Sequence, residues 1–164
     1  MNLTQVVFTS LRVDDLTNWR ADWAWGLPLI VVNVVIHVLG LGLIDQRVTH
    51  LTTGTIIRRH ATLGFALIMG ATTLLATLMH AMEVGIWAVA YRLLDAMHDK
   101  KSAMLYSLNA MTSYGHENLA LAGHWKLMGA IEALNGWLLF GLTTAFLFGM
   151  MERVRSLLGS GKHR

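Results

Sequence analysis

Residues 112–118 read TSYGHEN: Thr112, Ser113, Tyr114, Gly115, His116, Glu117 and Asn118. Hydroxyls, an imidazole and a carboxylate in succession offer the oxygen ligands that hard cations take. His116 is able to titrate near neutral pH. Glu117 and His116 are therefore candidate metal ligands. Other polar side chains interrupt apolar stretches. His80 and Glu83 are three apart on one helical face. They read either as a buried proton or metal pair, or as a hydrogen-bonded brace. Charge inside a membrane is expensive and tends to be functional. Glu132 and Asn135 share the same spacing. They read as a brace for the short segment before residue 112, with Asn109 as partner, since buried polar groups must be hydrogen-bonded. His37 stands alone on its apolar run, which suits a satisfied core histidine better than a ligand. His37 and His80 are the one pair that could ligate a haem from facing helices, and no pattern for axial ligation accompanies them.

The segments that position these groups are built for lipid. The chain has 164 residues, is 54% hydrophobic and 14% charged, and has a mean hydropathy of +0.49. Soluble chains average nearer ~25% charged. There is no cysteine, which excludes a disulfide framework and a thiolate metal site. Net charge is +3 and the pI is about 9.6. The basic residues lie between apolar segments rather than among aromatics on one face. That placement excludes nucleic acid as a partner and fits cytoplasmic loops. Asp14, Asp15 and Asp22, with no small-residue cleavage site, exclude a secretory signal. No lipidation motif is present.

Residues 26–44, GLPLIVVNVVIHVLGLGLI, carry no formal charge and would span roughly 28 Å as a helix, enough for a bilayer core. Pro28 falls where a helix start would tolerate its missing N–H. Residues 1–25 precede this first transmembrane helix as an extracytoplasmic segment with weak helical periodicity. Residues 45–60 form a basic loop with Arg47, Arg58 and Arg59. Residues 61–94 form a second span that is longer than a bilayer needs and must tilt or extend. After a polar break, 102–111 is apolar but too short to cross, which suits a re-entrant helix. Residues 125–151 form a third span, and 152–164 a basic tail. Three spans put the 45–60 loop and the tail on one side, which the positive-inside rule makes cytoplasmic. Trp19, Trp23, Trp25, Trp87 and Trp125 then fall near the opposite interface as an aromatic belt.

Span, short apolar half-helix, Thr-containing polar turn, span: this order resembles the pore module of the potassium-channel superfamily. It is closest to small bacterial ion channel family proteins, which read like "alYfS…tTvGYGDl…WrllgalEalnGlllfG". Here the chain has AMLYSLNAMTSYGHENLALAGHWKLMGAIEALNGWLLFGLTTAFLFG. The resemblance covers residues 61–151, and Trp125 to Gly141 is its most specific part. HAMEVGIWAVAY, residues 80–91, also looks like this family's second span. Counting back without gaps sets Thr112–Asn118 on T-T-V-G-Y-G-D. A register with Ser113-Tyr114-Gly115 on G-Y-G needs two inserted residues, and the ungapped one is adopted. The resemblance implies an all-α integral membrane protein. It has three transmembrane helices, a re-entrant pore helix and a filter loop, assembled as a four-fold homotetramer. The outer helix would be 61–94, the pore helix 102–111, the filter 112–118 and the inner helix 125–151. Asn109, Glu132 and Asn135 would brace the filter. The inner helix would hinge at Gly136 or Gly141, with Thr143, Thr144 and Phe148 facing or closing the inner vestibule.

The chain departs from the pattern at its centre, where Gly115-His116-Glu117 stands for Gly-Tyr-Gly. Filter glycines allow φ values that turn every carbonyl toward the ion. A left-handed conformation costs a non-glycine residue roughly 1–2 kcal/mol. In a tetramer Glu117 would recur as a carboxylate ring, which attracts cations and favours divalent ones. The expectation is an inner-membrane, multi-pass cation channel with weak or absent potassium selectivity. It would have no enzymatic activity and no cofactor beyond the permeant cation, and its partners would be further copies of itself, lipid and inorganic cations. The alternative is a non-conducting scaffold or a metal or pH sensor that keeps the fold. The topology is directly testable. A cysteine introduced within residues 1–10 is unique in the chain and is expected to react with an impermeant thiol reagent on intact cells. Reaction only after permeabilisation would reverse the assignment.

Overall fold

The computed structural model describes residues 3–52, 61–115 and 118–159, with side chains over 19–50, 62–115 and 118–156. Helix α1 runs Leu3–Thr52, α2 Ala61–Leu93, α3 Lys100–Met111 and α4 Lys126–Gly159, with a 3-10 turn at Gly123–Trp125 before α4. Among the described residues there is no strand. Trp19–His50, Thr62–Leu93 and Gly123–Ser156 are long and apolar enough to cross a membrane. They fit a multi-pass membrane protein.

The surfaces of these helices invert the soluble pattern. Val31, Leu39, Leu67, Leu78, Leu134 and Phe140 are all exposed. Threonines on the same surfaces satisfy themselves: the hydroxyls of Thr73, Thr77 and Thr144 each donate to the carbonyl four residues back at 2.9 Å. A hydroxyl bonded within its own helix carries no unmet donor into lipid.

Helix α1 has no break between the surface segment expected over 1–25 and the apolar span 26–44. Pro28 lies inside it rather than at its start. An interior proline removes a hydrogen bond and crowds the preceding turn, at about 3 kcal/mol. Membrane helices tolerate this because neighbouring groups re-satisfy the freed carbonyl. Trp19, Trp23 and Trp25 are exposed along α1, whereas Trp87 and Trp125 are buried. The last two therefore build the core instead of completing a belt.

The chain packs as two units. The first comprises Met1–Asn33 and Glu83–Trp137; the second comprises Val34–Met82 and Leu138–Arg164. In the first, Trp87, Tyr91, Tyr106, Met128 and Ile131 are buried. Tyr91 meets Tyr106 edge to face at 5.4 Å. Helix α2 ends at Leu93, and in the turn beyond it Asp95 has a left-handed φ of 54°. The amides of Ala96 and Met97 then turn back to the Tyr91 carbonyl at 2.9 and 3.2 Å. This is the usual way an orphan C-terminal carbonyl is satisfied. In the second unit, Leu41, Ile44, Val48, Ile68, Met150 and Val154 form an apolar cluster. Arg153 closes one side of it by donating to both carboxylate oxygens of Asp45 at 2.5 and 2.7 Å.

Helix α4 approaches α3 through its small residues. A methyl group at Gly136 would collide with the main-chain carbonyl of Met111, while one at Gly141 would meet nothing within 4 Å. Of the two hinge candidates, Gly136 is a packing glycine and Gly141 faces open space. Gly136→Ala is expected to destabilise the protein by about 1–3 kcal/mol, and Gly141→Ala by little. Thermal unfolding in detergent measures both. A Gly136→Ala protein as stable as the parent would refute the close approach.

Candidate functional site

Helix α3 delivers the 112–118 segment, so its anchoring comes first. Its N-cap is Asp99, in extended geometry. The Asp99 carboxylate accepts from the Ser102 amide at 2.7 Å and the Ser102 hydroxyl at 2.8 Å. These bonds, the amide first, hold the Asp99 carboxyl below its ordinary range. The preceding loop is tied down by Arg92, which donates to the His98 carbonyl. Ala122 adds a second tie, its amide donating to the Ala96 carbonyl at 3.0 Å.

Midway along α3 the completely buried Ser107 is the clamp. Its hydroxyl reaches the Val84 carbonyl on α2 at 2.8 Å and also contacts the Glu132 carboxylate on α4. The other Glu132 oxygen accepts from the Tyr91 hydroxyl at 2.6 Å. Glu132 is fully buried, so this carboxylate joins α2, α3 and α4 at one point. Glu132, read as a brace with Asn109 as partner, bonds to Ser107 and Tyr91. Asn109 contributes its main-chain carbonyl to the turn below instead. Asn135 is also buried, and neither of its side-chain amide atoms has a hydrogen-bond partner among the described residues. Asn33, which no sequence pattern marks out, is in the same condition. Unsatisfied buried amides cost about 1–3 kcal/mol each and are ordinarily met by ordered water.

At the C-terminus of α3 the chain leaves the helix through a defined turn. Thr112 is the C-cap and its hydroxyl donates to the Leu108 carbonyl at 2.7 Å. The amides of Ser113 and Tyr114 donate to the carbonyls of Ala110 and Asn109, both at 3.0 Å. Positive φ then falls on alternate residues: 54° at Ser113 and 106° at Gly115. Thr112 to Gly115 are all exposed, as is Asn118, and Tyr114 is 76% exposed. The Trp137 indole of α4 donates to the Ser113 hydroxyl at 2.9 Å although its ring is 69% exposed. His116 and Glu117 lie outside the described residues.

Glu83 is fully buried in the first unit. His80 belongs to the second, where its Nε2 meets the Thr143 hydroxyl at 3.0 Å. His37 Nε2 reaches the same hydroxyl at 2.9 Å. Thr143 therefore turns inward to the two histidines, while Thr144 and Phe148 are exposed.

No protein-family model matches the chain, and neither does any curated protein or solved structure. The Glu132 clamp is expected to behave as one coupled network. Tyr91→Phe and Ser107→Ala should each cost about 1–3 kcal/mol, and each loss should shrink in a Glu132→Gln background. Unfolding in detergent across the double-mutant cycles measures this; additive losses would show that the contacts are independent.

Proposed function

We propose that the protein is a tetrameric cation channel of potassium-channel-like architecture, resident in the cell inner membrane, with a filter that discriminates poorly among monovalent cations. The observation that carries this reading is the way the first unit holds α3. A twelve-residue helix, too short to cross a bilayer, is capped at Asp99 and clamped at Ser107 to a long helix on either side. It ends in a strand-free turn with positive φ at alternate residues, Ser113 and Gly115. A filter needs main-chain carbonyls aimed by unusual φ values and held rigid by packed helices.

Two further features support it. The Thr112–Gly115 backbone and the rings of Tyr114 and Trp137 are exposed in the single chain. Non-helical backbone at membrane depth is tolerated only where protein covers it or water fills the space beside it, and neighbouring copies around a pore supply both. The sequence then places Glu117 beyond Gly115, where four copies would form a carboxylate ring. Four close carboxylates share protons and titrate as a group, and cations relieve their repulsion.

The test is flux through purified, full-length protein in liposomes. The parent is expected to pass K⁺ and Na⁺ with similar permeability in asymmetric solutions. Glu117→Arg should abolish cation flux while leaving the oligomer intact, and Glu117→Gln should remove most of any divalent block. A strongly potassium-selective reversal potential would overturn the weak-selectivity claim. A folded tetramer that passes no ions would overturn the channel reading in favour of a non-conducting scaffold or sensor.

A further inference from the structure

Inside the second unit, side chains from three helices converge on one oxygen. His37 of α1 is completely buried, Thr143 of α4 is 8% exposed, and His80 of α2 is half-buried. Both imidazole Nε2 atoms lie against Thr143 Oγ1, at 2.9 Å for His37 and 3.0 Å for His80. The ring centroids are 5.0 Å apart and the planes are tilted by 41°. A hydroxyl carries one proton, so both rings cannot accept from it. At least one presents Nε2–H to the oxygen. A membrane helix can satisfy a threonine with its own preceding carbonyl, as Thr73, Thr77 and Thr144 do here. Thr143 does not need two histidines for that purpose.

Imidazole nitrogen is a borderline ligand that suits zinc, copper, nickel and iron. We propose that His37, His80 and Thr143 form a binding site for a transition-metal ion of the zinc class. The two Nε2 atoms are the primary ligands, the hydroxyl oxygen is a third, and a fourth position is left for a further ligand. Zinc–nitrogen bonds are about 2.0–2.1 Å, so two nitrogens on one tetrahedral ion lie about 3.3–3.4 Å apart. A ring nitrogen of His37 and one of His80 already fall within 4.8 Å of each other. Side-chain movement of about 1.5 Å shared between the two rings therefore closes the site on this scale. The imidazole that presents Nε2–H moves its proton to Nδ1 on binding, which frees the Nε2 lone pair for the metal. Because the ligands come from α1, α2 and α4, a bound ion ties three helices together. The site uses no residue of the 112–118 loop. It stands or falls independently of the channel reading.

Cobalt(II) is a suitable probe, since its visible absorption reports nitrogen ligation at a site of this type. Purified full-length protein is expected to bind one Co²⁺ per chain, to lose that absorption when Zn²⁺ is added, and to unfold at higher temperature with Zn²⁺ present. The chain has eight histidines, and others could bind metal at the surface. The His37→Gln/His80→Gln double variant is the control and should bind at least tenfold more weakly. Thr143→Val should weaken binding only a few-fold. If the double variant does not fold, His80→Gln alone, at the half-buried position, serves in its place. Co²⁺ binding that is absent in the folded parent, or equal in parent and variant, would overturn the proposal and leave the cluster a hydrogen-bonded brace. Flux measured on the same samples reports separately on the channel.

Discussion

A single carboxylate, that of Glu132, fixes where α3 can sit. Burying a carboxylate is costly unless its oxygens are hydrogen-bonded, and here each oxygen has a hydroxyl partner on a different helix. The pairing works in both directions. Tyr91 and Ser107 would also be buried hydroxyls without Glu132, and Ser107 reaches a main-chain carbonyl of α2 as well. Removing Glu132 strands the Tyr91 hydroxyl, and removing either hydroxyl strands one Glu132 oxygen, so the three helices keep one mutual arrangement. The apolar contacts around the clamp, Trp87 with Tyr91 and Tyr91 with Tyr106, supply burial but little direction. Hydrophobic packing would accept α3 rotated by a fraction of a turn; the clamp does not.

The second unit solves the same problem with different chemistry. Its core is an aliphatic cluster closed by the Asp45–Arg153 pair, which is partly exposed. A pair in that setting contributes little to stability, about 0–1 kcal/mol. It acts more as an alignment device between α1 and α4 than as a source of folding energy. The close approach of Gly40 to the Met79 side chain shows the same economy of space between α1 and α2. Small residues let helices come near where lipid offers no hydrophobic drive to push them together.

Hydropathy made the three long helices legible, because length and lack of charge decide membrane spans almost alone. Their ends were less so. Pro28 reads as a helix start, yet α1 continues through it from Leu3. Glu132 was readable as a brace because a carboxylate in an apolar helix has few other uses. Its partner was not. Ser107 and Asn109 sit two residues apart in a short segment, and which one faces α4 depends on the rotation of α3. That rotation is set by contacts from distant parts of the chain, such as Gly136 against the Met111 carbonyl. Thr143 was misjudged for the same reason, as a residue of the inner vestibule. His37, His80 and Thr143 are far apart in sequence, and only the register between helices brings them to one depth. Trp87 and Trp125 looked like interface residues by position and proved to be core residues.

The turn after α3 shows how a filter-like backbone can be supported without glycine at every strained position. Ser113 adopts a left-handed φ of 54°, which for a residue with a Cβ costs roughly 1–2 kcal/mol. Its surroundings return that energy in small pieces. The Ser113 amide caps the Ala110 carbonyl, and the amide of the next residue caps Asn109. The hydroxyl accepts from the Trp137 indole. A neutral hydrogen bond contributes about 0.5–1.5 kcal/mol net, so two or three of them balance one strained residue. The support comes from α4, on the helical turn that begins at Gly136. A methyl group there would push α4 away from α3 and carry Trp137 off Ser113. Close helix packing and the strained turn are thus one device, and the glycine acts at the point of packing rather than at the φ value it sustains.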